Sequence, residues 1–324
     1  MRVVWETEQP SAGEVAYAEA GAGALAERVV DPTVGTHHVV TLTGLAPYTR
    51  YIYHLESDGV PLSTPFTFRT AAAPGATGFS FVAFGDTRTQ HDVHRSIVAL
   101  IGRLAPDFVL HTGDLVAHGG STREWDTFFE IEAPLMACAP FFPVLGNHEG
   151  NDPRYFDAFH LPGNERWYAF DYGNARFIAL QVDGIARFDP HSEQYAWLQG
   201  ALASNSQPWL FVFFHVPPYS ALKEDDQEVA VRQALTPLFE RYGVDIVFNG
   251  HHHDYQRAVV RGVTYIVTGG GGAPIYAVQR ADEHTLAFAN AYHALQLTVG
   301  ERALTGVAIS VEGEELDRFA LARD

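Results

Sequence analysis

Short apolar runs recur along the chain from residue 79 onward, and polar residues follow them closely. Runs of four to six mainly apolar residues bounded by turn residues predict buried strands. Four of these runs are followed within a few residues by an aspartate or a histidine: Phe79–Phe84, Asp107–Leu110, Trp209–Phe213 and Val244–Phe248. In open α/β proteins, ligands bind where the carboxyl ends of core strands meet at one edge of a sheet. The pattern therefore predicts that these polar residues lie together.

Between the predicted strands, apolar residues recur at the spacing of an α-helix. A first helix is predicted over Val93–Leu104, and others are predicted from Thr122, from Ser192 to Leu202 and from Gln227 to Arg241. Gly173-Asn174 predicts a hairpin, and residues 292–324 predict two or three alternating strands. Residues 79–324 are therefore expected to form an α/β domain, a two-sheet β-sandwich flanked by helices.

Residues 1–72 show a different pattern, of short strand-like segments separated by glycine and proline. These segments are Val3–Trp5, Glu14–Tyr17, His37–Leu42, Tyr51–Leu55 and Pro65–Thr70. Regular short strands with turn signals predict an all-β sandwich. The turn and tyrosine in Leu45–Tyr51 are similar to those of fibronectin type III-like modules. We therefore predict a β-sandwich domain over 1–72, a linker over 73–78 and the α/β domain over 79–324.

Composition and charge narrow the classes of function. The 324 residues, 47% hydrophobic and 19% charged, are typical of a globular protein long enough for two domains. A formal net charge of −18 argues against nucleic acid as the main partner. No apolar run approaches the roughly 18 residues of a membrane helix, and Met1–Trp5 does not begin a signal peptide. The single cysteine excludes an intrachain disulfide and a thiolate metal cluster.

Five short segments carry aspartate, asparagine and histidine in an order that predicts one metal site. They are Gly85–Arg88, Gly113-Asp114, Gly146–Glu149, Phe214-His215 and Gly250–His253. Imidazole nitrogen, carboxylate oxygen and amide oxygen together suit Fe, Mn or Zn better than Ca or Cu(I). The aspartate, asparagine and histidine residues of these segments are candidate metal ligands. Any one of them alone is typical of a structural residue, but several at matching strand ends indicate a site.

This set of motifs resembles the five motifs of calcineurin-like metallophosphoesterases. The fibronectin-like module, His253–Arg257 and Trp167–Gly173 resemble the purple acid phosphatase branch. The resemblance implies a dinuclear centre bridged by Asp114, with Asp86 and His253 on one metal and Asn147, His215 and His251 on the other. His148 would then face the substrate, as a proton donor to the leaving oxygen or as a stabiliser of charge on the phosphoryl group.

Two positions depart from the family pattern. Most calcineurin-like enzymes carry a histidine ligand where this chain has Arg88, and purple acid phosphatases carry a tyrosine ligand where it has Ala117. We predict His94 as the replacement ligand, ahead of His118 and His91, with water as the alternative. Arg88 is predicted to bind a substrate phosphate oxygen; otherwise it forms an ion pair with a neighbouring carboxylate.

The expected function is metal-dependent hydrolysis of a small phosphate ester by a metal-bound hydroxide at a dinuclear site. The purple acid phosphatase-like architecture favours monoesters. The alternatives are a phosphodiesterase acting on small diesters, and a non-catalytic binding module whose first metal position has degraded. The resemblance implies a secreted or periplasmic location. No membrane partner is expected, and the sequence leaves the oligomeric state open.

Overall fold

The structure is a computed structural model that describes residues 1–57, 59–222, 225–276 and 284–323. The chain divides into two compact units. Unit 1 comprises Met1–Ala73 with Met136–Pro140, and unit 2 comprises Pro74–Leu135 with Phe141–Asp324. Within the described ranges, no helix is both long enough and apolar enough to cross a membrane.

Unit 1 is an all-β unit, as its pattern predicts. Its five strands are β1 (Arg2–Glu19), β2 (Glu27–Thr41), β3 (Arg50–Ser57), β4 (Val60–Pro61) and β5 (Phe66–Arg69). They form a hydrogen-bonded sheet in the order β2-β1-β3-β4, with β5 also paired to β3. The hydroxyl of Tyr51 accepts a hydrogen bond from the backbone N–H of Ala46 at 2.9 Å. This return contact is the tyrosine corner found in β-sandwich folds.

One expectation for unit 1 is wrong. The predicted short strands Val3–Trp5 and Glu14–Tyr17 belong to the single strand β1. The intervening Pro10 and Gly13 do not form a turn; the pairing of β1 with β2 shifts register around Ser11 instead. Strand β3 pairs only with the last six residues of β1, so Pro10 lies where β1 has no second partner strand and its missing N–H costs little.

Unit 2 alternates strands and helices through most of its length. In chain order its elements are β6 (Phe79–Phe84), α1 (His91–Leu104), β7 (Phe108–His111), α2 (Thr122–Met136), β8 (Phe141–Pro143), α3 (Pro153–Ala158), β9 (Tyr168–Tyr172), β10 (Ala175–Ala179), α4 (Glu193–Ala203), β11 (Trp209–Phe213), α5 (Asp226–Tyr242), β12 (Ile246–Asn249), β13 (Tyr255–Val260), β14 (Val263–Thr268), β15 (Thr285–Ala289), β16 (His293–Val299), β17 (Ala303–Ser310) and β18 (Glu315–Ala322).

These strands form two mixed sheets, as expected for the α/β domain. One has the order β18-β17-β16-β6-β7-β8, and the other has the order β15-β13-β14-β12-β11-β10-β9. The aromatic ring of Phe81 on β6 packs against Phe177, Phe211 and Phe248 of the second sheet at centroid distances of 5.2–5.8 Å. All four rings are fully buried, so the core of unit 2 lies between the sheets.

The helix ends follow from local sequence. The side chain of Ser192 caps α4 by accepting a hydrogen bond from the backbone N–H of Tyr195, and Asp225 caps α5 in the same way through Glu228. Gly243 ends α5 in the left-handed conformation that glycine adopts at no steric cost. In the six-stranded sheet, β6, β7 and β8 run parallel to one another. In the seven-stranded sheet, β10, β11 and β12 run parallel to one another. Their carboxyl ends carry the predicted ligands.

Candidate metal centre

The loops after five parallel strands bring the predicted ligands together. Asp86 follows β6, Asp114 follows β7 and Asn147 follows β8, all in the six-stranded sheet. His215 follows β11 and His251 follows β12, both in the seven-stranded sheet. The facing edges of the two sheets therefore supply one site, as the positions of the polar residues predict.

We call the first half of this site position 1; it consists of Asp86, Asp114 and His253. Their donor atoms all lie within 4.8 Å of one another, and Nε2 of His253 is 3.6 Å from a carboxylate oxygen of Asp86. All three residues are buried. Burial, and then the neighbouring charge of Asp114, raises the pKa of Asp86 well above its ordinary value. Two carboxylates this close can both stay ionised only if a positive charge lies beside them; otherwise one of them takes up a proton.

We call the second half position 2; it consists of Asp114, Asn147, His215 and His251. Oδ1 of Asn147 lies 3.0 Å from Nε2 of His215 and 3.2 Å from Nδ1 of His251. Oδ1 of Asp114 lies 3.4 Å from the same Nε2 of His215. Ligand atoms about 2.0–2.3 Å from one ion lie roughly 3.0–3.5 Å apart. The donor atoms of position 2 therefore have the spacing that a bound metal ion requires.

The hydrogen bonds around His215 suit a bound cation at position 2. Nδ1 of His215 lies 2.9 Å from the carbonyl oxygen of Thr112, and because a carbonyl only accepts, Nδ1 carries the proton. In the neutral ring, Nε2 then presents a lone pair to Oδ1 of Asn147 and Oδ1 of Asp114, which are acceptors too. Three acceptors facing one another are unfavourable unless a cation lies among them.

The other histidines are also prepared as neutral ligands. Nδ1 of His253 donates to the carbonyl oxygen of Pro274 at 2.8 Å, which leaves Nε2 facing position 1. Burial lowers the pKa of His251 to about 3 and that of His253 to about 4. Metal binding requires deprotonated imidazole, so both rings are in the binding form at neutral pH.

The backbone at the ligands is strained in a way that directs the side chains. Asp86, Asp114 and His251 all adopt positive φ angles of 57–72°, a region that non-glycine residues seldom occupy outside functional sites. The preceding glycines pack tightly against the ligands. A Cβ on Gly146 would lie 2.2 Å from Oδ1 of Asp114, and one on Gly250 would lie 2.4 Å from Oδ2 of Asp86. Glycine is therefore required by the close approach of the loops.

Glu149, for which the sequence predicted no role, is central to the loop geometry. Its buried carboxylate accepts hydrogen bonds from the backbone N–H groups of Gly146, Asp114 and Val116 at 2.6, 3.1 and 3.2 Å. These contacts tie the loop after β8 to the loop after β7. Burial, and then the charge of Asp114, raises the pKa of Glu149 to about 8. The signal in the sequence was that an acidic residue ends the predicted segment Gly146–Glu149.

His148 lies beside the site with one ring nitrogen already fixed. Its Nδ1 donates to the carbonyl oxygen of Ala117 at 2.7 Å, and its Nε2 lies 3.7 Å from Oδ2 of Asp114. Its backbone N–H donates to Oδ1 of Asp114 at 3.2 Å. The side chain is 30% exposed, so a ligand arriving from solvent can reach Nε2.

Arg88 points into position 1. Its Nε donates to Oδ2 of Asp114 at 3.1 Å, and its terminal NH2 nitrogen donates to Nε2 of His253 at 3.1 Å. Of the two roles predicted for Arg88, the structure shows the ion pair with a neighbouring carboxylate. Burial raises the pKa of Asp114, but interactions with the neighbouring His215, His148 and Arg88 together bring it below its ordinary value.

The three candidate replacement histidines lie apart from position 1. His94 is buried in α1, and its Nε2 lies 2.7 Å from Oε1 of the buried Glu132 in α2. His118 is exposed and pairs with Glu124, and His91 is exposed. The structure does not bring His94 to the metal ligands, because this ring instead forms a buried hydrogen bond with Glu132 between two helices. A ligand role for His94 stays a prediction, without support from this geometry.

The glycine-rich segment Gly269–Gly272 closely approaches the backbone of the first motif. Gly271 donates to the carbonyl oxygen of Gly85 at 2.9 Å, and Ala273 donates to that of Asp86 at 2.7 Å. His252, the middle residue of the last motif, turns away from the ligands and pairs with Glu228. This glycine-rich segment therefore supports the backbone of the first motif.

Comparison with known proteins gives the family. Residues 79–255 match the calcineurin-like phosphoesterase model, and residues 1–70 match the model of the purple acid phosphatase N-terminal domain. The chain belongs to the calcineurin-like phosphoesterase family, which confirms the resemblance stated from its motifs. A purple acid phosphatase from yellow lupin seeds has the same fold, with a TM-score of 0.86 and 21% identity over all of this chain and 72% of that one.

Two Arabidopsis thaliana relatives carry different descriptions. Purple acid phosphatase 18 is 29% identical over 79% of this chain and 63% of its own length. Probable inactive purple acid phosphatase 1 is 27% identical over 90% of this chain and 58% of its own length. The chain thus spans less than two thirds of these relatives, and they include both an active and an inactive description.

Proposed function

We propose that this protein hydrolyses phosphate esters, most simply monoesters, with a divalent metal ion held at position 2. The proposal is carried by the ligand atoms of position 2. Nε2 of His215 lies 3.0 Å from Oδ1 of Asn147 and 3.4 Å from Oδ1 of Asp114. When bound, such an ion supplies a Lewis acid and a water molecule whose pKa is lowered towards about 7. The mixed oxygen and nitrogen donors suit Zn, Mn or Fe.

His148 is the proposed proton donor. Because its Nδ1 is held by the carbonyl of Ala117, the ring presents Nε2 to the side of Asp114 that faces the site. A phosphate ester bound there would meet Nε2 with its leaving oxygen or with a phosphoryl oxygen. With Nδ1–H held by Ala117, the ring can donate from Nε2 only as an imidazolium. The imidazolium would then protonate the leaving oxygen and become neutral, or stabilise charge on the phosphoryl oxygen, and either effect lowers the barrier to P–O cleavage.

The test is turnover of aryl phosphate monoesters and diesters by protein reconstituted separately with Mn, Zn and Fe. Faster hydrolysis of the monoester supports the proposal, and faster hydrolysis of the diester supports the phosphodiesterase alternative. An Asn147→Ala variant serves as the matched control, because Asn147 is exposed and lies at position 2. Its turnover should fall together with its metal content.

A non-catalytic binding module is the second candidate function. It is favoured by Arg88, which lies among the residues of position 1, and by the relative described as probably inactive. The same assay separates the two candidates. If metal-loaded, folded protein turns over neither ester with any of the three metals, the hydrolase proposal fails and phosphate binding becomes the function to measure.

A further inference from the structure

The two halves of the site differ in how their acceptor atoms are satisfied. At position 2, the lone pair of His215 Nε2 meets the oxygen acceptors of Asn147 and Asp114. At position 1, the lone pair of His253 Nε2 and Oδ2 of Asp114 each accept an N–H from Arg88 at 3.1 Å. Position 2 therefore lacks a cation of its own, whereas position 1 already contains one.

We propose that the guanidinium of Arg88 is the permanent cation of position 1, so that the protein binds a single metal ion, at position 2. The family resemblance implies a second ion among Asp86, Asp114 and His253. These residues do not fit an ion while Arg88 lies among them, because its N–H groups occupy the one free lone pair of the His253 ring and one acceptor site on Oδ2 of Asp114. The inference rests on the proposed metal site, but it does not depend on hydrolysis.

The charge of Arg88 suits this role. An arginine stays protonated under all conditions relevant to proteins, so position 1 keeps its positive charge at any metal concentration. The guanidinium donates to the carboxylate of Asp114 and to the ring of His253, so its charge lies within position 1. It thereby replaces the electrostatic part of a metal ion without offering a place for a water ligand.

The backbone of Arg88 holds the side chain in this place. The preceding Thr87 is fully buried, and its backbone N–H donates to the carbonyl oxygen of Asp114 at 3.1 Å. Its hydroxyl also donates to the carbonyl oxygen of Leu115 at 3.2 Å. The following residue, Thr89, is β-branched and has a φ of 85°, which is a genuine outlier for such a side chain. The arginine side chain itself is only 16% exposed.

The experiment is a count of metal ions per chain, measured by elemental analysis and native mass spectrometry after loading with excess Mn²⁺ or Zn²⁺. The wild-type protein should hold one ion, and Arg88→His, which puts imidazole in place of the cation, should hold two. The matched control is Arg95→Ala, an exposed arginine that pairs with Glu130, and it should hold one. Two ions in the wild type, or one ion in a folded Arg88→His protein, would overturn the proposal.

A second measurement does not depend on any variant folding. Anomalous diffraction from wild-type crystals soaked in Mn²⁺ or Zn²⁺ should give one peak, beside Asn147, His215 and His251, and a peak between Asp86 and His253 would refute the inference. These results are separate from those of the activity assay. One bound ion without turnover would remove only the proposed function, and turnover with two bound ions would remove only this inference.

Discussion

At the scale of single residues, main-chain carbonyl groups decide which nitrogen of each site histidine faces the centre. Thr112, Pro274 and Ala117 each accept from Nδ1 of one ring, so the other nitrogen of His215, His253 and His148 is directed to the site. Such outer contacts fix ring orientation as well as the tautomer. Residue types alone predict the ligands, but the choice of nitrogen depends on carbonyl groups distant in the sequence.

Replacing His148 tests its proposed role as proton donor. We expect His148→Ala to keep its metal and to lose turnover by about 10²- to 10⁴-fold, since Nε2 faces the site but the ring is not placed among the metal ligands. The loss should be smaller for nitrophenyl phosphate, whose leaving group needs little protonation, than for an alkyl phosphate. Equal losses for both esters would leave His148 a charge-stabilising or binding residue.

A second residue-scale prediction concerns His293, which is fully buried outside the metal site. Burial lowers its pKa from an ordinary value near 6.5 to about 4. The ring of His293 is harder to protonate in the folded protein than in the unfolded protein. The contribution of His293 to the free energy of unfolding is therefore complete above pH 6.5 and is lost as the pH falls towards 4. The full effect is on the order of 3 kcal/mol.

The measurement is the free energy of urea unfolding of wild type and His293→Gln between pH 7.5 and 4.5. As the pH falls, the free energy of unfolding should decrease more steeply for the wild type than for the variant. The difference between the two slopes against pH should correspond to at most one bound proton. Parallel curves for the two proteins would show that His293 does not titrate as its burial indicates.

At the scale of elements, helices α1 and α2 are joined by the buried pair of His94 and Glu132. Removing one partner of such a pair leaves an unsatisfied polar group in the core, which costs about 1–3 kcal/mol, and removing the His94 ring also opens a cavity. We therefore expect His94→Ala to be strongly destabilised but to keep its metal content, and a His94→Leu/Glu132→Leu double variant to regain much of the stability. Loss of metal at unchanged stability would instead restore His94 as a ligand.

The tight packing of the loop at Gly146 leads to a further prediction. A Cβ on Gly146 would collide with the carboxylate of Asp114, so Gly146→Ala should displace a ligand and weaken metal binding by about ten- to a hundredfold. Gly102→Ala is the matched control, because Gly102 lies in α1 with open space around its Cβ position. It should bind metal normally and gain about 0.5–1 kcal/mol in stability. Equal metal affinity in the two variants would contradict the tight packing.

The elements themselves were largely predictable, because apolar runs and helical spacing reflect burial directly. Phe81 and Phe211 mark strands that are buried on both faces, and the caps at Ser192 and Gly243 are local. The long strand β1 was not predictable, since its continuation through Pro10 depends on the pairing with β2. The place of Arg88 was not predictable either, because it depends on Asp114 and His253, which follow it by 26 and 165 residues.

At the scale of the whole molecule, the site connects parts of unit 2 that are far apart in the sequence. Position 2 takes Asp114 and Asn147 from the loops of the six-stranded sheet and His215 and His251 from those of the seven-stranded sheet. An ion bound there would fasten the two sheets at one edge. The net charge of the protein affects its partners rather than its fold. Because the chain carries a formal net charge of −18, it repels an anionic substrate, so a local cation is all the more necessary to bind one.

Metal should therefore stabilise unit 2 as a whole. An ion that binds only the folded state adds about 2.7 kcal/mol when its concentration is 100 times its dissociation constant. Hydrogen exchange with and without Mn²⁺ should show added protection in peptides that cover β7, β8, β11 and β12. Peptides from β1–β3 should be unchanged, because none of the predicted ligands lies in unit 1. Asn147→Ala should lose much of this protection, and a uniform gain across both units, or none, would contradict the assignment of position 2.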